Sequence, residues 1–180
     1  MLQKFLEFDY RASSRLRLPE SGGGVRIAAV FLAHSGDSWF WLAGLLLIWL
    51  LGNDAWRTRA ALMAVGLLFL AVLVLAIKFT VRRRRPEGKW GAIYRNTDPH
   101  SFPSGHAARA IFLAILAIGL GPLWLALLLL FWAPLVSLAR VALGVHYLSD
   151  ILAGILLGVA AGVAMLAASP LMIQHFPYLF

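Results

Sequence analysis

An all-α, polytopic membrane bundle is the fold class this sequence predicts, and three observations predict it. Of its 180 residues 61% are hydrophobic, and mean hydropathy is +0.81, against about 45–50% apolar residues in soluble domains. The apolar residues gather into runs of roughly 17 to 21, close to the ~20 a helix needs to cross about 30 Å of hydrocarbon. Tryptophans and arginines mark the ends of those runs, as they do at membrane interfaces. The reading is about five transmembrane helices plus an N-terminal interfacial helix, with a six-span count as the alternative. One domain covers 1–180, with 1–36 an interfacial amphipathic segment and 38–168 the transmembrane core.

The first 17 residues mix Leu2, Phe5, Leu6 and Tyr10 with Lys4, Arg11, Arg15 and Arg17, which suits a helix lying among headgroups. Glu20-Ser21-Gly22-Gly23-Gly24 breaks the chain. Residues 25–33 are apolar but too few to cross, and His34-Ser35-Gly36-Asp37 interrupts them. No cleavable leader is expected, because the first apolar run starts only near Val25. The first crossing is read over 38–55, about 27 Å at ~1.5 Å per residue, with Trp39, Trp41 and Trp56 at its interfaces. A polar turn with Asn53, Asp54, Arg57 and Arg59 leads to the second, 60–79, which ends in Lys78 and Arg82-Arg83-Arg84-Arg85-Pro86. A polar loop follows to Pro103. The third crossing, 104–120, opens on Ser104 as N-cap. Gly119-Leu120-Gly121-Pro122 turns it into the fourth, 122–139, and 140–146 is a short connection. The fifth, 148–168, carries Gly154, Gly158 and Gly162 at four-residue spacing, a small-residue face for close packing.

The net charge is +8 and the pI near 10.9, which favours anionic partners. The basic residues are interleaved with the spans, which disfavours nucleic acid and points to phospholipid headgroups or phosphate esters. There is no cysteine, so disulfide and thiolate chemistry are excluded.

Crossing parity puts three polar clusters on one side of the bilayer: the end of the second span, the start of the third, and the link between fourth and fifth. At the start of the third, the free N–H groups after Ser104 and Gly105 favour an anion, and His106 stands beside it. In the last cluster, His146 and Asp150 are four residues apart on one helical face. A carboxylate there holds one imidazole nitrogen and leaves the other as a nucleophile.

Taken in order, Lys78-x6-Arg85-Pro86, Pro103-Ser104-Gly105-His106 and Arg140-x5-His146-x3-Asp150 resemble the type 2 phosphatidic acid phosphatase family, which also includes vanadium-dependent haloperoxidases. The resemblance spans 78–150. It implies that His146 attacks phosphorus to form a phosphohistidine, that Asp150 orients it, and that His106 protonates the leaving oxygen and later activates water. It further implies that Lys78, Arg85 and Arg140, with the backbone around Ser104 and Gly105, bind the phosphoryl oxygens. Phosphoryl transfer needs that combination of nucleophile, acid and concentrated positive charge. No dense Asp/Glu or Cys/His ligand set is visible, so neither metal nor other cofactor is expected. The expected substrate is a lipid phosphate or diphosphate drawn from the bilayer. The resemblance also implies a bacterial inner membrane with the site facing outward.

One position departs from the family pattern: a serine usual before the motif arginine is Ala139 here, and Ser137 is not assumed to replace it. Arg109, three residues after His106, is expected to touch substrate or to pair with a carboxylate such as Asp98 or Asp150. Residues 94–98 (Tyr94 to Asp98) could shape headgroup choice. Two other classes compete: a lipid-linked phosphotransferase, and a catalytically silent lipid-binding relative, which retention of both histidines argues against.

Overall fold

The computed structural model describes residues 2–88 and 98–180, and among these it forms seven helices and no strands. They are α1 (Leu2–Arg15), α2 (Gly24–Ser35), α3 (Ser38–Leu51), α4 (Asp54–Val81), α5 (Gly105–Leu120), α6 (Leu123–Ala142) and α7 (Leu148–His175). Helices α4, α6 and α7 are each long and apolar enough to cross a membrane, α2 and α3 reach that length only as a pair bent by 55°, and α5 is apolar but shorter.

The bend revises the first crossing. Residues 38–55 are not one helix, because the Gly52 N–H closes α3 on the Ile48 carbonyl and Asn53 opens α4 by accepting from Trp56 N–H at 3.1 Å. Fourteen residues of α3 reach only about 21 Å at ~1.5 Å each, so only together with α2 does this apolar stretch have the length of a span. The elbow is tight: a Cβ on Gly36 would lie 2.8 Å from Val136 and 3.0 Å from His106. The polar turn expected around Asp54, Arg57 and Arg59 is the first two turns of α4.

Helix α5, only 16 residues long, is the centre of the bundle. Nine of its residues are buried, six of them alanine or glycine. The glycine face of α7 packs on it. A Cβ on Gly154 would meet the Ser104 carbonyl at 2.5 Å, and one on Gly158 the Ala108 carbonyl at 2.3 Å. In a bilayer, where helices gain little from hiding apolar surface from each other, such backbone approach supplies the van der Waals contact that holds them. It also fixes the start of α5 against the start of α7. The outward residues of α4, α6 and α7, among them Leu68, Phe69, Leu127, Phe131 and Leu156, are exposed and apolar, as a lipid-facing surface requires.

Candidate active site

His146 sits in the turn between α6 and α7, and Tyr147 behind it caps α7. Asp150, three residues into that helix end, accepts from the Tyr147 N–H at 2.9 Å through Oδ2, which also stands 3.5 Å from His146 Nδ1. On the other side of the ring, Nε2 lies 3.2 Å from Arg85 Nη1. A guanidinium has donors only. Nε2 therefore presents its lone pair, and Nδ1 carries the proton toward Asp150. Burial pushes His146 down to about 3; the Asp150 carboxylate facing Nδ1 opposes this and the Arg85 and Arg140 charges add to it. The ring is neutral, as a nucleophile must be.

Three buried cations surround it. Lys78 comes from the last turn of α4 and Arg140 from the last turn of α6, not from the connection after it. Arg85 lies in the extended segment beyond α4, where it donates to the Val145 carbonyl at 2.9 Å and the Asp98 carbonyl at 2.7 Å. That segment is pinned by an antiparallel bridge between Arg84 and His100 and by the Ser101 N–H on the Arg83 carbonyl. The Asp98 carboxylate bridges the Lys78 ammonium and Arg85 Nη2, the latter at 2.8 Å. Burial pushes the Asp98 carboxyl up, but the Lys78 hydrogen bond and the charges of Lys78 and Arg85 prevail and hold it below its ordinary value.

Ser104 caps α5, accepting from Ala107 N–H, and its own N–H donates to the Asp150 carbonyl at 2.9 Å. One hydrogen bond thus joins the second and third motifs. His106, in the first turn, meets Asp37 Oδ1 through Nε2 at 2.7 Å, and Asp37 Oδ2 meets His34 Nδ1 at 3.1 Å. Arg109 reaches the same elbow, donating from Nε and Nη2 to the Gly36 carbonyl at 3.3 and 3.2 Å. That carbonyl adjoins Asp37, the carboxylate that meets His106.

His106, His146, Lys78, Asp98, Gly105 and Arg109 line one cavity of about 220 Å³. Its remaining wall is Ser38 at the start of α3 and Ala71, Val74 and Leu75 of α4. At ~30 Å³ per water this holds a phosphoryl group with its entering and leaving atoms, and one side of it is hydrocarbon.

A family model described as the PAP2 superfamily matches residues 59–172. The chain belongs to that superfamily. It is 37% identical over 146 residues to the decaprenylphosphoryl-5-phosphoribose phosphatase of Mycobacterium tuberculosis, covering 77% of each chain. It is 34% identical over 137 residues to an undecaprenyl-diphosphatase of Sulfolobus acidocaldarius, covering 72% of this chain and 63% of that one. Among solved structures it matches Aquifex aeolicus LpxE with a TM-score of 0.68 at 24% identity, over 90% of this chain and 94% of that one. It also matches a PAP2-type phosphatidylglycerolphosphate phosphatase from Bacillus subtilis with a TM-score of 0.72 at 22% identity, over 95% and 87%.

With the PAP2 motifs placed, four residues stand beside them that motif spacing did not single out: Asp37, Asp9, Arg83 and, as a bridge between cations, Asp98. Asp37 had a signal, a carboxylate interrupting an apolar run. Arg83 was hidden in a run of four arginines that looks like a topology flank. The replacement of the usual serine by Ala139 has a packing reason, since Ala139 is buried against Ala29 and Ala33 of α2. Ser137 spends its hydroxyl on the Ala133 carbonyl at 2.8 Å and does not substitute. Residues 94–97 of the headgroup loop lie outside the described residues.

Proposed function

We propose that this PAP2 membrane phosphatase hydrolyses a phosphate monoester or diphosphate carried on a long-chain lipid, of the polyprenyl type, through a phosphohistidine on His146 and without a metal. The observation that carries this is the cavity, in which His106, His146, Lys78 and Arg109 share walls with Val74 and Leu75 of α4. Leu75 and its neighbours Val72 and Phe79 are exposed on the lipid-facing surface, so a chain lying along α4 can bring its phosphate to His146 without leaving the bilayer. The two curated relatives are named for phosphate removal from decaprenyl- and undecaprenyl-linked substrates, which supports the polyprenyl class.

In this mechanism the phosphoryl oxygens take the donors of Lys78, Arg85 and Arg140, displacing Asp98. The Nε2 lone pair of His146 forms a bond to phosphorus as the P–O bond to the leaving group breaks. His106 gives the leaving oxygen its proton. Water then attacks phosphorus, His106 takes its proton, and the N–P bond returns its electron pair to Nε2. The arginine and lysine side chains hold the equatorial charge in the place a metal would. The whole chain acts as one domain, in a bacterial inner membrane with the site facing outward.

The test is phosphate release by purified protein from a panel of polyprenyl diphosphate, polyprenyl phosphoribose phosphate, phosphatidylglycerol phosphate and phosphatidic acid, with and without chelator. Release from the polyprenyl substrates at a rate within about twofold in chelator is expected. Silence on every lipid phosphate, or activity abolished by chelator and restored by magnesium, overturns the reading.

A further inference from the structure

The carboxylate behind His146 has a second support that reaches into the N-terminal helix. Asp150 Oδ1 accepts from Arg83 Nη1 at 2.7 Å, and the other end of that guanidinium, Nη2, donates to Asp9 Oδ2 at 2.7 Å. Arg83 also donates to Ser149 Oγ at 2.6 Å and lies over the Tyr147 ring, 4.1 Å from its centroid. Asp9 is 4% exposed and Asp150 fully buried. Asp9 in turn accepts from the Ser149 N–H at 3.1 Å and the Ser149 hydroxyl at 2.5 Å, while Ser13 Oγ accepts from Leu148 N–H at 2.9 Å. Two residues four apart on α1 thus satisfy the free N–H groups at the start of α7, the helix end from which Asp150 projects.

A cap needs only the serine and the carboxylate. The arginine between two buried carboxylates does something else. Asp150 must hold the Nδ1 proton of His146 and balance the positive charge that grows on the ring as Nε2 bonds to phosphorus. A guanidinium bound to Asp150 fixes its direction, but alone it would also cancel that charge. We infer that Asp9 is a positioning residue for the nucleophile: by neutralising Arg83 it lets the arginine orient Asp150 without weakening it. The inference rests on His146 being the nucleophile. It makes α1, whose Phe5, Phe8 and Tyr10 are exposed, part of the catalytic apparatus.

The experiment compares Asp9→Asn, Arg83→Gln and the double variant as full-length protein in detergent, by steady-state kinetics on a lipid phosphate the parent hydrolyses and by thermal unfolding. Asp9→Asn leaves the guanidinium uncompensated, so kcat is expected to fall roughly 10- to 100-fold, the range of couplings within one charged network, with KM within about threefold. Adding Arg83→Gln removes the excess charge and is expected to recover kcat severalfold above Asp9→Asn, which the loss of a cap would not do. A double variant no faster than Asp9→Asn, or a loss carried by KM, overturns the inference. If Asp9→Asn does not fold, Arg83→Gln decides alone: a lower kcat at unchanged KM supports the role, and parent-like kcat overturns it. Whether His146 is the nucleophile is measured separately in the parent, by whether it is the residue phosphorylated during turnover.

Discussion

Arg85 Nη1 lies 3.2 Å from His146 Nε2, so the side chain proposed to bind a phosphoryl oxygen touches the nitrogen proposed to attack phosphorus. The same guanidinium holds the Val145 carbonyl before the nucleophile and the Asp98 backbone and carboxylate. A lysine cannot span that fork. Arg85→Gln should lower kcat/KM about 10²- to 10³-fold, as removal of one preorganised donor does, and Arg85→Lys should recover only part. Lys at parent activity would show that charge alone is needed there.

Asp98 occupies donors of Lys78 and Arg85 that the mechanism gives to phosphate. Asp98→Asn should therefore tighten inhibition by inorganic phosphate and by vanadate, a mimic of the five-coordinate transition state. About tenfold is expected, equivalent to ~1.4 kcal/mol. Unchanged or weaker inhibition would mean that the carboxylate orders the cations instead of competing for them.

Asp37 holds His106 Nε2, and Arg109 holds the adjoining Gly36 carbonyl. Both are expected to act through the acid, so their loss should matter most where the leaving oxygen most needs a proton. Asp37→Asn should slow a lipid monophosphate by about 10- to 100-fold, less than the ~10²- to 10⁴-fold of losing a general acid outright, and a diphosphate less. Arg109→Gln should follow the same order. If Arg109→Gln instead penalises the diphosphate more, its fork serves substrate charge directly.

Much of this arrangement was legible in the sequence because the chemistry needs fixed residue types at fixed spacing. Lys78, Arg85, His106, Arg140, His146 and Asp150 could be named from three motifs, and span parity put them on one side. The glycines of α7 announced close packing, and Gly154 and Gly158 meet the backbone of α5. The elbow at Gly36 was not legible, because two short apolar runs separated by a polar turn read as an interfacial segment and a span until Val136 and His106 are seen filling the bend. Asp9 was unreadable for a similar reason. Its partners Arg83 and Ser149 are 74 and 140 residues away, and no local pattern reports contacts of that range.

The buried neutral state of His146 has a consequence for stability. Its pKa, near 3 in the folded protein, lies below the ~6.5 of an exposed histidine. The unfolded chain therefore binds the extra proton first as pH falls. The parent should lose stability from about pH 6.5 downward toward 3, relative to His146→Gln, by up to about 1.4 kcal/mol per pH unit. Thermal unfolding of both proteins in detergent between pH 7 and 4.5 measures it. A pH-independent difference would contradict the neutral assignment.

The phosphohistidine is tested most directly by trapping it. Protein turning over a lipid substrate labelled with ³²P in its terminal phosphate is quenched in alkali, where a phosphoramidate survives, and its peptides are mapped. Label is expected on the peptide containing His146 and none in His146→Ala; with a diphosphate, whose leaving group least needs the acid, label should persist longer in His106→Ala, where water is no longer activated. Label on another residue, or substantial turnover by purified His146→Ala, would contradict the phosphohistidine.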